Sequence, residues 1–235
     1  LDEDKTTINQ IRNYAKNTAV EVSYVFNNFG STGNRTVYAV ADPRFASVTG
    51  RHLFVEMPDD NFEPRVSDQR VGYFSQRVTD MSTYDNYPAR DLVNKWRLVK
   101  KDPDAEISEP VEPIVFWVEK STPEEIKPMV VKGIEAWNLA FERAGFKNAI
   151  VAKIQADDAE WDAGDVQYNV VRWASFPEPS YSGYGPSIAN PRTGELIAAD
   201  IVQTFAAIKR GYNLRRLWGW TPAVSYTHLR AHETS

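Results

Sequence analysis

The chain has 235 residues, with 27 lysines and arginines against 32 aspartates and glutamates, giving a net charge of −5. This mildly acidic balance argues against nucleic-acid binding, and no apolar run approaches the roughly 20 residues of a membrane-spanning helix. The absence of cysteine excludes disulfides, thiolate-bound metals and thiol nucleophiles. The histidines are His52, His228 and His232, so a histidine-based site has few places to form.

The first hundred residues are predicted to be rich in β-structure, because short alternating apolar segments are separated by Gly, Asn and Pro turns. Residues 47–49 and 52–57 are predicted to form a hairpin across Gly50 and Arg51. Strands are predicted over residues 20–26, 36–41, 47–49, 52–57, 70–78 and 96–99.

A charged, proline-bearing segment without periodicity follows this region and is typical of a linker. We therefore predict a β-rich leading domain over residues 1–100 and a linker over 101–113. A second domain is predicted over residues 114–222.

The second domain begins with a buried strand, Ile114–Val118, followed by the clearest helix of the chain. Thr122 and Glu125 fit a capping box, and Gly145 fits a left-handed helix end with Phe146 folding back. The apolar helix face comprises Ile126, Met129, Val130, Ile134, Trp137, Phe141 and Ala144. Further strands are predicted over residues 148–155, 165–173, 186–190 and 195–203, the last two joined by the turn Asn190–Gly194. The order predicts an α+β fold in which one helix backs a mixed sheet.

Both ends of the sequence are unusual. The chain starts at Leu1 without a charged and apolar leader, so we expect a removed leader or a start within the protein. Residues 223–235 resemble a translated sequencing adapter, and we expect them to be non-native. His228 and His232 have the i, i+4 spacing of zinc ligands, but Leu229 replaces the glutamate of an H-E-x-x-H helix. We therefore expect no metal site there.

Several motifs resemble the first half of a metzincin-type catalytic domain. More closely, the chain resembles bacterial zinc-dependent metalloproteases that place an uncharacterised β-rich domain directly before the catalytic domain. The similarity extends from about Ile11 to about Tyr212. The segments that carry it are Asp68–Phe74, Trp96–Leu98, Lys100–Pro103, Pro113–Trp117, Glu135–Phe146, Ala163–Trp173, Gly183–Ser187, Asn190–Gly194 and Asp200–Ile201.

The resemblance implies a secreted or periplasmic endopeptidase that cleaves peptide bonds with metal-activated water. Zinc would be the cofactor, held by an H-E-x-x-H-x-x-G-x-x-H helix after the edge hairpin. That motif does not occur in the 235 residues, so we expect a fragment that holds no catalytic or metal-binding residues and is inactive as written. We also expect an uncovered apolar surface near residues 166–173 and 197–202, on the second face of the sheet, where the zinc helix would pack.

The same resemblance implies where a peptide or protein substrate would bind. In metzincins an antiparallel edge strand lines the cleft and pairs with the extended substrate. Here that strand corresponds to Gly185, Pro186, Ser187, Ile188, Ala189 and Asn190. A solvent-facing hairpin arm without a ligand, protected from aggregation by Pro186, is the structural alternative.

Two other possibilities remain open. The acidic residues Asp157, Asp158, Glu160, Asp162 and Asp165 could bind calcium, but Ala163 stands where an EF-hand loop needs glycine, which favours a solvated loop. The chain could instead be a non-catalytic module that binds carbohydrate or protein through its aromatic residues, 12% of the sequence. A row of exposed tryptophans and tyrosines would favour that second function.

Overall fold

The computed structural model describes residues 1–27, 45–59, 61–175 and 181–218. The strand predicted over residues 36–41 and the tail at 223–235, with His228 and His232, lie outside the described residues. The chain divides into two compact units, one of residues 1–59 and 161–167 and one of residues 60–160 and 168–235. These limits differ from the predicted domains, whose boundaries stay a prediction.

The first unit is built on a three-stranded antiparallel sheet of β1 (Thr7–Asn13), β2 (Asn17–Asn27) and β3 (Phe45–Val55), with β2 in the centre. The hairpin predicted across Gly50 and Arg51 is wrong, because β3 pairs with β2 without interruption from Phe45 to Val55. Gly50 lies opposite Val22, and a Cβ atom there would contact the Tyr24 ring at 3.3 Å. Glycine therefore makes room for an aromatic side chain here instead of forming a turn.

The second unit begins with the antiparallel pair β4 (Ser75–Thr79) and β5 (Ala89–Val93). The strand predicted over residues 96–99 is absent, because the backbone partners change along this segment. Lys95 bonds the backbone of Gly194 and Leu196, whereas Val99 accepts a hydrogen bond from the Val111 amide. Isolated bridges therefore replace a continuous ladder.

A five-stranded sheet forms the centre of this unit in the order β7-β6-β8-β12-β9. Its strands are β6 (Ile114–Val118), β7 (Ile150–Ile154), β8 (Asn169–Ala174), β9 (Gly183–Tyr184) and β12 (Ile201–Thr204). β6, β7, β8 and β12 are parallel to one another, and β9 is antiparallel at the edge. The predicted mixed sheet and α+β class are confirmed.

Two short helices, α1 (Lys127–Glu135) and α2 (Asn138–Arg143), connect β6 to β7 where the sequence predicts one helix. Trp137 donates its amide to the Ile134 carbonyl, a tightened turn, and Asn138 bonds both backbone groups of Ile150, which pins α2 to β7. The predicted cap at Thr122 is not formed by its side chain, whose buried hydroxyl has no hydrogen-bond partner among the described residues. Gly145 has the predicted positive φ of 87°, and Phe146 donates to the Phe141 carbonyl.

The core of this unit lies between α1 and the sheet, where Val130 and Ile134 pack against Phe116 and Val171. β10 (Ser187–Ala189) and β11 (Leu196–Ala199) form the predicted hairpin, and α3 (Phe205–Trp218) follows β12. No helix among the described residues is both long and apolar enough to cross a membrane.

Candidate functional site

The segment Gly183–Ala189 contains β9 and β10, which run antiparallel to β12 and β11 and form an edge. Thr204 and Asp200 donate their amides to the carbonyls of Ser182 and Pro186, at 3.2 and 3.0 Å. The carbonyls of Ser182 and Pro186 thus face the neighbouring strand. Because backbone groups alternate in direction along a strand, every second residue of this segment directs its peptide groups outward. Gly183, Gly185 and Ser187 therefore direct their amides and carbonyls away from the sheet. Gly183 and Ser187 lie opposite Gln203 and Ala199 as non-hydrogen-bonded pairs, and no described residue bonds these outward backbone groups.

Pro186 does not close this edge. Proline lacks an amide hydrogen, but position 186 faces inward, because its carbonyl accepts the Asp200 amide. The outward amides of Gly183, Gly185 and Ser187 are therefore all present. Residues 181–190 contain no Asp, Glu, Lys or Arg, which are the side chains that commonly protect a sheet edge from pairing. The edge is therefore able to accept a further strand.

The predicted substrate-binding residues differ in exposure. Gly185, Pro186 and Ser187 are exposed, and Ile188 and Ala189 are partly buried. Asn190 is 1% exposed and belongs to the turn, where its side-chain oxygen accepts the Arg192 amide. Its side chain therefore supports the hairpin and does not face solvent.

Residues outside the β10–β11 hairpin contact it and fix its position. Arg97 donates two hydrogen bonds to the Glu195 carboxylate, at 2.6 and 2.9 Å, and this carboxylate is only 8% exposed. Gly194 has a φ of 76°, and a Cβ atom there would lie 2.4 Å from the Val93 carbonyl oxygen. These contacts fix the position of the edge.

An apolar groove of about 860 Å³ lies beside α1 and extends to the edge strand β9. Met129 and Trp137 line it and are exposed, so these two positions of the predicted apolar helix face are not buried in the core. Val171, Trp173, Ile201 and Val202, from the segments where an uncovered apolar surface is predicted, also line this groove. The groove lies on the sheet face that α1 packs against, whereas the predicted surface belongs to the second face and stays a prediction.

Two tyrosines at the edge were not predicted as site residues. The Tyr181 and Tyr184 rings lie 5.3 Å apart between centroids, at an interplanar angle of 77°. Both are exposed, and Tyr184 also lines the groove. The i, i+3 spacing in Tyr181-Ser182-Gly183-Tyr184 is the only sequence signal, and it gives no indication of ring geometry.

The described residues do not fit a zinc ion. His52 lies on β3 of the first unit, where its Nε2 atom is hydrogen-bonded to the Tyr24 hydroxyl at 2.5 Å. In the described ranges no three His, Asp or Glu side chains are grouped so that they could hold a metal.

In the acidic segment 157–165, side chains form hydrogen bonds and an ion pair with other residues of the chain. Asp162 accepts a hydrogen bond from the Tyr14 hydroxyl at 2.8 Å and pairs with Arg12. Burial and this carboxylate raise the pKa of Tyr14 above its ordinary value. Asn17 bonds Gly164 and Val166 with its side-chain amide, which joins residues 161–167 to the β1–β2 hairpin. These contacts give the segment a structural role within the first unit.

Asp200 lies opposite Pro186 of the edge, to whose carbonyl its amide donates. Burial raises its pKa above the ordinary range, against the lowering effects of the Val170 amide, which donates to Oδ1 at 3.0 Å, and of Arg172. Its carboxylate joins β8 to the start of β12.

A family described as a domain of unknown function (DUF5117) matches residues 1–101. No curated protein and no solved structure matches the chain significantly. The match covers less than half of the chain and names no activity.

Proposed function

We propose that this chain is the substrate-aligning part of a metzincin-type zinc endopeptidase, in which an extended peptide pairs with the outer edge of β9 and β10. The observation that carries the proposal is the antiparallel edge at Gly183, Gly185 and Ser187, whose outward backbone groups have no hydrogen-bond partner among the described residues. Pairing with such an edge gives affinity through main-chain hydrogen bonds, and side chains add specificity.

Three other observations support this function. The sequence motifs resemble those of zinc-dependent bacterial proteases along most of the chain. The family of unknown function matches the region where that resemblance expects an uncharacterised leading domain. The apolar groove beside α1 would give the zinc-bearing helix of such an enzyme a surface on which to pack.

The described residues would align the bound peptide and would not take part in its hydrolysis. Because they do not fit zinc, we assign no step of peptide hydrolysis to them. The chain as written is expected to bind an extended peptide without cleaving it. In the whole enzyme, residence outside the cytoplasm follows from the resemblance alone.

Sequencing genomic DNA through and beyond codon 223 tests the enzyme assignment. The proposal predicts an H-E-x-x-H-x-x-G-x-x-H motif within the next several dozen codons. A reading frame that stops, or continues without this motif, would overturn the protease assignment.

A non-catalytic binding module is the second candidate, favoured by the loop between β4 and β5. Tyr84 is 105% exposed, and Met81 and Tyr87 are also largely exposed. The loop is nevertheless ordered by hydrogen bonds, since Asp80 bonds Pro88 through its backbone and Arg90 bonds the Asp85 carboxylate at 2.7 Å. Tyrosine and methionine are enriched at contact surfaces between proteins.

Co-sedimentation with insoluble cellulose and chitin tests the carbohydrate form of this second candidate. Binding that is lost in the double variant Tyr84→Ser/Tyr87→Ser would support it. Failure to sediment with either polysaccharide, or unchanged sedimentation of the variant, would contradict it.

A further inference from the structure

Tyr181 and Tyr184 form an exposed aromatic corner at the free edge. Tyr184 is 53% exposed and Tyr181 36% exposed, and their rings meet edge to face. The backbone of the corner is held in place, because the fully buried Thr204 donates its hydroxyl to the Tyr181 carbonyl at 3.1 Å. A ligand at the edge would therefore meet two rings whose backbone is already positioned.

The geometry of strand pairing defines what lies opposite these rings. Tyr184 directs its peptide groups toward Val202 of β12, so an added strand would meet it as a non-hydrogen-bonded pair. In such a pair the opposing Cβ atoms lie about 4.5–5.5 Å apart on the same face of the sheet. One side chain of the bound peptide would consequently lie against the Tyr184 ring.

The chemistry of the corner favours an apolar side chain at that position. Aromatic pairs across a sheet are stabilised by edge-to-face and stacked contacts in addition to apolar burial. An acidic side chain would lose hydration beside the rings, and residues 181–190 contain no cationic group that could compensate.

We propose that Tyr181 and Tyr184 form a selectivity subsite that favours an aromatic residue in the bound peptide and disfavours an acidic one. This inference rests on the proposed function, because it requires a peptide paired with the edge of β9. It adds the class of peptide recognised and the two side chains that select it.

Fluorescence anisotropy with the full 235-residue chain tests the subsite. The probes are fluorescein-labelled peptides of the form Thr-Val-Thr-Xaa-Thr-Val-Thr, with tyrosine, serine or aspartate at Xaa. We expect the tyrosine peptide to bind roughly two- to twelvefold more tightly than the serine peptide. The aspartate peptide should bind more weakly than both.

Protein variants assign the preference to the corner. Tyr184→Ser should reduce the difference between the tyrosine and serine peptides to less than about twofold, and Tyr184→Phe should retain it. Tyr212→Ser, which changes an exposed tyrosine on α3, is the matched control and should leave the preference unchanged. Because these side chains are exposed, the variants should fold, as circular dichroism would verify.

The two proposals fail in different ways. A tyrosine peptide with N-methylated alternate amides cannot pair with an edge and should not bind. If no peptide binds, or if N-methylation has no effect, strand addition itself is wrong. If the peptides bind with equal affinity, or if Tyr184→Ser keeps the preference, only the aromatic subsite is wrong.

Discussion

Two glycines, Gly194 and Gly133, differ in what a methyl group would meet. Gly194 has a φ of 76°, and a Cβ atom would lie 2.4 Å from the Val93 carbonyl oxygen. Gly133 lies within α1, and a methyl group there would point into open space, with no atom of another described element within 4 Å. The same substitution should therefore have opposite effects at the two positions.

We predict that Gly194→Ala lowers the free energy of unfolding by about 2–4 kcal/mol, because the backbone is strained and the turn must move. Gly133→Ala should raise it by about 0.5–1 kcal/mol, because alanine favours the helix. Urea unfolding of both variants measures these changes. Equal effects of the two substitutions would contradict this account of the turn.

Asp200 gives a prediction on pH. Since burial raises its pKa, the folded state keeps a proton at pH values where the unfolded chain has lost it. The contribution of this group to stability is therefore complete below its unfolded pKa and is lost as pH rises through the raised folded value. Asp200→Asn cannot ionise and retains an oxygen that can accept from the Val170 amide.

We consequently predict that the unfolding free energy of Asp200→Asn, relative to that of the unmodified chain, is higher at about pH 7 than at about pH 4. Urea unfolding midpoints of both proteins at the two pH values measure this gain. A stability difference that is the same at both values, or larger at the acidic one, would show that the carboxylate is not disfavoured by burial.

The sequence predicts local features wherever neighbouring residues determine them. Gly145 ends the helical region with a positive φ, and the turn Asn190–Gly194 joins two strands, as their residue types indicate. Gly50 and Arg51 also match turn chemistry, but a long-range pairing with β2 keeps them in a strand. The Tyr181–Tyr184 corner depends on ring orientations, which the sequence pattern does not determine.

The elements that hold the edge come from distant parts of the chain. The segment at Lys95–Arg97 bonds the β10–β11 hairpin through the backbone of Gly194 and Leu196 and through the Glu195 carboxylate. The sequence pattern predicts a strand over residues 96–99 and gives no sign of this support. An ion pair 98 residues apart in sequence has no local pattern that would reveal it.

We predict that Arg97→Ala destabilises the chain by about 2–4 kcal/mol, because it leaves the Glu195 carboxylate unpaired and mostly buried. Arg77→Ala is the matched control, since Arg77 forms a similar pair with Asp91 but both side chains are well exposed. The control should change stability by less than about 1 kcal/mol. Similar losses of unfolding free energy in the two variants would contradict the buried role of Glu195.

At the scale of the whole molecule, the family match and the compact units divide the chain differently. The match covers residues 1–101, whereas residues 60–101 lie in the second unit. Arg97 and Lys95, within the matched region, bond the hairpin at 194–196, outside it. The matched region therefore contributes directly to the support of the proposed edge.

The central claim is that an extended peptide pairs with the outer edge of β9 and β10. Amide hydrogen exchange with and without a saturating concentration of the tyrosine peptide tests it most directly. We predict that the outward amides of Gly183, Gly185 and Ser187 exchange at least about tenfold more slowly with peptide, because they gain backbone partners. The inward amides of Tyr184 and Ile188 should change little. Unchanged exchange at the three outward amides, with the peptide bound, would contradict strand addition.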